Sequence, residues 1–388
     1  MTVSIVEPDS ESAVSAAPVA ASVAASVAPA QHVRSERIVA LQLLRAVAAT
    51  AVVFDHFQII LTQATGRASG LPDLSRGVAG VDLFFVISGF VIVYASEPLF
   101  AKAGGPAAFI TYRLVRIVPL YWLITTLYLA IGLALPSIGK VYSPGYSASS
   151  YLFFPMARPD GEVAPLVSQG WTLNYEILFY VIFSAAVLFS RRTAVAAAAI
   201  VLGGLTLAGA TLAPTQQPFA FWTNSIMIEF VFGMILAVAY REGLRMPAWL
   251  ALGTIVLGVV LFVIGTPAGE ARFLQYGVPA ALMVMGATLG GFSLRSQPWP
   301  AIAMVGDASY SLYLSHLLPI VAVLFVARHA GIALAAASWG LLAASVLAAI
   351  AVAIVLHLAF ERPVTRALRR LTAATRPNSP LDNRLVRS

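Results

Sequence analysis

The sequence predicts an all-α, polytopic membrane protein with ten transmembrane helices and both termini in the cytoplasm. Three observations lead there. Hydrophobic residues make up 59% of the chain and charged ones only 11%, where soluble domains run nearer about a quarter charged. Ten apolar segments approach the ~20 residues needed to cross a bilayer. The basic residues are also lopsided. With the N-terminus placed inside, 17 of the 24 Lys and Arg residues fall on the cytoplasmic side, six fall outside, and Arg45 lies within the first span. That is the asymmetry the positive-inside rule requires.

Residues 1–33 are rich in Ala, Ser, Val and Pro, with no basic stretch ahead of an apolar core. They read as a disordered cytoplasmic tail rather than a signal peptide. The spans follow at 38–61, 80–96, 113–134, 171–190, 194–212, 220–240, 247–265, 271–291, 302–326 and 333–360. One long outer loop, 135–170, is rich in Ser, Tyr, Pro and Gly. A basic cytoplasmic tail, 366–388, closes the chain, and its run Arg366-Ala-Leu-Arg369-Arg370 reads as a solvated stretch against anionic lipid. No internal repeat is visible, which counts against an inverted-repeat transporter. Cysteine is absent, which removes disulfides, thiolate metal sites and thiol nucleophiles. The net charge of +7 follows topology and does not point to nucleic acid.

The first span carries charge where charge is expensive. A charged group in hydrocarbon costs at least ~2.5–3.5 kcal/mol, so such residues face a protein interior or a wet cavity. Arg45 and His56 are eleven positions apart, which is about three helical turns and ~16 Å of rise. They return to nearly the same face, and Gln42 joins them one turn earlier. Depth then sorts the other polar groups. Arg113 and Arg116, one turn apart on the third span, share the inner end with Arg45. Asp82 and Glu176 open the second and fourth spans from outside and share the depth of His56. Guanidinium forks suit phosphate, and a histidine oriented by a carboxylate suits general-base work on a hydroxyl. Positive-inside anchoring is the plain alternative for Arg113 and Arg116, and helix-end hydrogen bonding for Asp82 and Glu176. Ser309, Tyr313 and His316 fall at i, i+4 and i+7 of the ninth span and share a face. They line a tunnel or satisfy one another in a core. Glu229, in the sixth span, pairs with a tunnel arginine or keeps its proton. Phe84, Phe85, Phe90 and Trp122 read as packing, and His329 and His357 receive no role.

In these residues the chain resembles the membrane acyltransferase 3 family, and most of all its exopolysaccharide-production (ExoZ-like) O-acyltransferase branch. The likeness rests on Arg45-x10-His56, on Gly80-Val-Asp82-Leu-Phe-Phe-Val-Ile-Ser88-Gly-Phe90, on Arg113-x-x-Arg116 and on Trp171-Thr-Leu-Asn-Tyr175-Glu176 with Phe179-Tyr180. Gly306-Asp-Ala-Ser309-Tyr-Ser-Leu-Tyr313-Leu-Ser-His316 and Glu361-Arg362-Pro363 extend it, so that the acyltransferase 3 transmembrane domain spans 34–365. Thr172 stands where many members have Ser, and the fused outer domain of some members is absent.

The resemblance implies transfer of an acyl group, usually acetyl, from cytoplasmic acyl-CoA to a sugar hydroxyl, at the bacterial inner membrane. His56, Arg45, Glu176 and Asp82 are then the expected catalytic residues. Arg113, Arg116 and Arg45 are expected to hold acyl-CoA, and Ser88, Tyr175, Ser309, Tyr313 and His316 to line the passage. Acyl-CoA enters as co-substrate with no resident cofactor, and no metal is needed because a thioester is already activated. The expected partners are acyl-CoA, a polysaccharide or lipid-linked oligosaccharide acceptor, and membrane lipid. The competing reading is a secondary transporter or flippase of a glycan or lipid intermediate, which would not consume acyl-CoA.

Overall fold

The computed structural model describes residues 18–134, 142–158, 160–265, 272–290 and 299–374, together with Met1, Phe292 and Leu294; for 18–38, 300 and 373–374 the backbone alone is described. Fifteen α-helices follow one another: α1 Pro18–Thr65, α2 Gly80–Ala95, α3 Gly105–Ala134, α4 Pro144–Tyr151, α5 Trp171–Ala186, α6 Arg191–Leu212, α7 Phe219–Trp222, α8 Ile228–Arg241, α9 Ala248–Ile264, α10 Val278–Leu289, α11 Trp299–Asp307, α12 Ser309–Ser315, α13 Leu317–His329, α14 Ser338–Leu356 and α15 Arg362–Ala374. Among the described residues there is no sheet, only a bridge between Ala157 and Val163. Helical backbone runs back to Pro18, through residues 18–33 where the sequence suggests disorder. Residues 2–17 and 375–388 of the two expected tails lie outside the described residues.

Each of the ten expected spans is helical, yet length separates them. Val39–Thr65, Ser75–Ala95, Gly105–Ala134, Arg191–Leu212 and Ser338–Thr372 are long and apolar enough to cross a membrane, and the bent pair α12 and α13 makes a sixth when taken as one span. The other expected spans are shorter. The stretch 220–240 is cut where the Asn224 side chain accepts from the Ile226 amide and starts a new turn. The ninth expected span is not one helix either. It bends by 52° between Ser315 and Leu317. Pro319 explains this, because it has no amide to give the Ser315 carbonyl and its ring crowds that turn.

Close backbone approach holds the helices together, as it does where lipid removes the hydrophobic drive between them. A Cβ on Gly233 of α8 would sit 2.0 Å from the Val86 carbonyl oxygen of α2, and one on Gly89 of α2 would sit 2.2 Å from that of Phe230 on α8. Gly306 of α11 lies equally tight on Gln42 of α1. Two buried clusters result. One joins α1, α2, α3, α5, α8 and α10 around Phe85, Leu120, Phe179 and Phe230. The other packs Val53, Phe57 and Leu61 of α1 on Ile320, Leu324 and Leu342. Opposite faces stay apolar and exposed, as with Trp249, Val256, Val260 and Val263 of α9, which is the surface that a lipid solvent leaves uncovered.

Candidate active site

Helices α1, α2, α3, α5 and α12 enclose a cavity of about 790 Å³, counting its open mouth. Arg45, Ser88, Arg113, Arg116, Glu176, Ser309 and Tyr313, all singled out by sequence, share its wall with Thr172, Tyr180 and Tyr310. Among the described residues no ion pair ties Arg45, Arg113 or Arg116 to a carboxylate. Arg45 Nη1 donates to Gln42 Oε1 at 3.3 Å, and the Arg113 guanidinium lies 5.5 Å and 5.9 Å from the ring centres of Phe109 and Tyr180. Glu176 is the carboxylate on this wall. Its Oε1 accepts from Ser88 Oγ at 2.8 Å and from the Tyr180 hydroxyl at 2.5 Å. The lining thus carries three guanidiniums against one carboxylate, an excess that only an anion can balance.

A second, wider cavity of about 1440 Å³, counting open solvent, meets the first at a neck formed by Arg45 and Arg116, which line both. Its floor is α15. Arg362, Arg366, Arg369 and Arg370 face this vestibule together with Asp307 and Glu361. Glu361 is already engaged, because Ser311 Oγ donates to its Oε2 at 2.6 Å and His357 Nδ1 lies 3.0 Å away. The basic run that reads from sequence as a solvated tail is therefore a wall of the vestibule. The signal was available: 362, 366, 369 and 370 fall at i, i+4, i+7 and i+8, one helical face.

His56 and His316 do not line the first cavity. A ladder of rings leads to them from its wall. Phe84 and Tyr313, both on the wall, have centroids 6.0 Å apart; Tyr313 and His316 are 6.3 Å apart, and His316 and His56 are 4.9 Å apart. His56 Nδ1 lies 3.0 Å from the Val52 carbonyl oxygen one turn back. A carbonyl only accepts, so Nδ1 holds a proton, and in the neutral ring the lone pair sits on Nε2. Asp55 Oδ2 stands 4.0 Å from the same Nδ1. His316 repeats the pattern, with Nδ1 3.1 Å from the Leu312 carbonyl and 2.8 Å from that of Tyr313. Its buried Nε2 has no hydrogen-bond partner. The hydroxyl at Thr172 is used as well. It donates to the Tyr313 hydroxyl at 3.0 Å, which donates in turn to the Gln169 carbonyl at 2.8 Å.

Two expected site residues stand elsewhere. Asp82 has its own partner away from His56: Arg272 Nε and Nη2 donate to its two oxygens at 2.9 Å and 2.7 Å. Arg272, which sequence reading treats as an outer-loop charge, is thus the half-buried partner of a fully buried carboxylate. Glu229 lies carboxyl to carboxyl beside Asp82 and against Gly277; among the described residues no arginine of the first cavity forms an ion pair with it. Tyr175 stacks on Phe221 at 3.9 Å and belongs to the packing. Among the described residues no group of three or more His, Asp or Glu side chains is placed to hold a metal ion.

A family described as an acyltransferase domain matches residues 38–358. The exopolysaccharide production protein ExoZ of Rhizobium meliloti (strain 1021) is 34% identical over 308 residues, which is 76% of this chain and 93% of that protein. Protein 2 in the picA locus of Rhizobium radiobacter is 29% identical over 165 residues, 38% of this chain and 82% of that one. No solved structure matches. The arginine-lined cavity, the ring ladder to His56 and the family match over most of the chain agree: this protein belongs to the acyltransferase 3 family.

Proposed function

We propose that the chain is an integral O-acyltransferase of the bacterial inner membrane, with both termini in the cytoplasm. It moves an acyl group, acetyl in the first instance, from cytoplasmic acyl-CoA to a sugar hydroxyl of an exported polysaccharide. The observation that carries this reading is a cavity lined by three guanidiniums that, among the described residues, form no ion pair with a carboxylate, linked by edge-to-face and tilted ring contacts to a histidine whose Nδ1 is held by a backbone carbonyl. The ExoZ relative is named for exopolysaccharide production, which supports a polysaccharide acceptor.

The chemistry follows from the groups present. The diphosphate of acyl-CoA binds at Arg45, Arg113 and Arg116 through charge-assisted hydrogen bonds. Its pantetheine arm runs through the cavity past Ser88, Glu176 and Ser309 toward Tyr313. His56 Nε2 accepts the proton of the incoming sugar hydroxyl as its oxygen attacks the thioester carbonyl. The carbon–sulfur bond breaks, the new ester forms, and the proton on His56 passes to the departing thiolate. His316 braces the His56 ring from the side. The test is transfer of labelled acetyl from acetyl-CoA to polysaccharide by purified protein. The wild-type chain consumes the donor and His56→Ala does not. Export of glycan without donor consumption would instead identify a flippase.

A further inference from the structure

The two cavities share part of their lining. Arg45 and Arg116 form the neck, and below it lies a vestibule lined by four more guanidiniums, Arg362, Arg366, Arg369 and Arg370. Against them stand Asp307 and Glu361, and Glu361 is already bound by Ser311 and His357. Arg369 keeps a buried Nε with no hydrogen-bond partner. The helix is built for this placement. Val364, Leu368 and Leu371 follow at i, i+4 and i+7 on the other side of α15, leaving the arginine face to the vestibule. Nothing in the chemistry proposed above uses these four residues.

We propose that the vestibule is the seat of the 3′-phosphorylated adenosine end of the acyl-CoA donor, with Arg366 and Arg369 gripping the 3′-phosphate. This rests on the donor reading above and deepens it. Arg45 and Arg116 then hold the 5′-diphosphate at the neck, and the thin pantetheine arm alone passes into the upper cavity. A forked guanidinium suits a terminal phosphate, which presents three oxygens. A site for the 3′-phosphate also separates coenzyme A from ATP, ADP and AMP, which lack that group.

Calorimetry on the purified full chain in detergent, with coenzyme A and 3′-dephospho-coenzyme A as probes, tests the assignment. The wild-type chain should prefer coenzyme A by about tenfold, the worth of one charge-assisted contact. Arg366→Gln and Arg369→Gln should each lose most of that preference while binding the dephospho probe nearly as the wild type does. Arg366 is exposed, so its variant leaves the fold intact, and a thermal melt confirms it. Persistence of the full preference in both variants overturns the inference while the donor reading stands. Failure of the wild-type chain to bind either probe overturns both. Loss of phosphatidylglycerol from nanodiscs by the variants, with the preference for coenzyme A unchanged, makes the vestibule a lipid seat and likewise overturns the inference.

Discussion

The imidazoles of His56 and His316 meet edge to face, with ring centres 4.9 Å apart and planes inclined by 67°. Each ring donates its Nδ1 proton to a backbone carbonyl three or four residues back, so in the neutral rings the lone pairs sit on the two Nε2 atoms. One ring is partly exposed and the other fully buried. His56 is thus the ring that meets an acceptor, and His316 the one that fixes its orientation. His56→Ala should abolish transfer by ~10²–10⁴-fold, the usual worth of a general base. His316→Phe keeps a ring against His56 and should retain more activity than His316→Ala. Equal loss in both would show that His316 takes part in proton transfer rather than bracing.

Glu176 is the cavity's own carboxylate, held by Ser88 and Tyr180. Glu176→Gln keeps an oxygen for both donors but removes the charge facing the three arginines. It should tighten coenzyme A binding and lower kcat. Steady-state kinetics with varied donor would register this as a fall in KM together with kcat. A rise in KM with unchanged kcat would contradict it.

Asp82 and Arg272 form a bidentate pair, with Asp82 fully buried. Removing one member of such a pair strands a charge and costs ~3–5 kcal/mol. Asp82→Asn and Arg272→Gln should therefore each lower the melting temperature in detergent sharply. The double variant should be no worse than either alone, because the stranded charge is gone. A stable Asp82→Asn protein that binds donor but transfers nothing would give Asp82 a part in catalysis.

Glycine positions separate packing from conformational freedom. Gly233→Ala puts a methyl 2.0 Å from the Val86 carbonyl oxygen, and such overpacking costs ~1–3 kcal/mol. Gly203 on α6 has nothing within 4 Å, and Gly203→Ala should be neutral or stabilising by up to ~1 kcal/mol. Thermal unfolding of the two variants side by side should give shifts of opposite sign or clearly different size.

Much of this arrangement was legible in the sequence, because helical periodicity and charge cost act locally. Arg45, Arg113 and Arg116 converge as their depths suggest, and Glu176 and Ser88 meet above them. Depth alone, however, says nothing of direction around a helix. Asp82 and Ser88 are six positions apart, ~120° around α2, so when Ser88 faces the cavity Asp82 points to Arg272. The ten apolar stretches are also not ten long helices, because hydropathy sums apolar character without registering where a side chain such as Asn224 restarts a turn. The bend at His316 could have been read from Pro319. The vestibule floor is written in the arginine spacing of α15, where helical period and not charge alone carries the signal.

Arg45 and Arg116, which line both cavities, have a consequence for what passes between them. A cation moving from one cavity to the other meets two fixed positive charges, and such charges turn cations back electrostatically, while an anionic ligand is drawn in. Selection by sign of charge thus precedes any contact with Ser88 or Glu176.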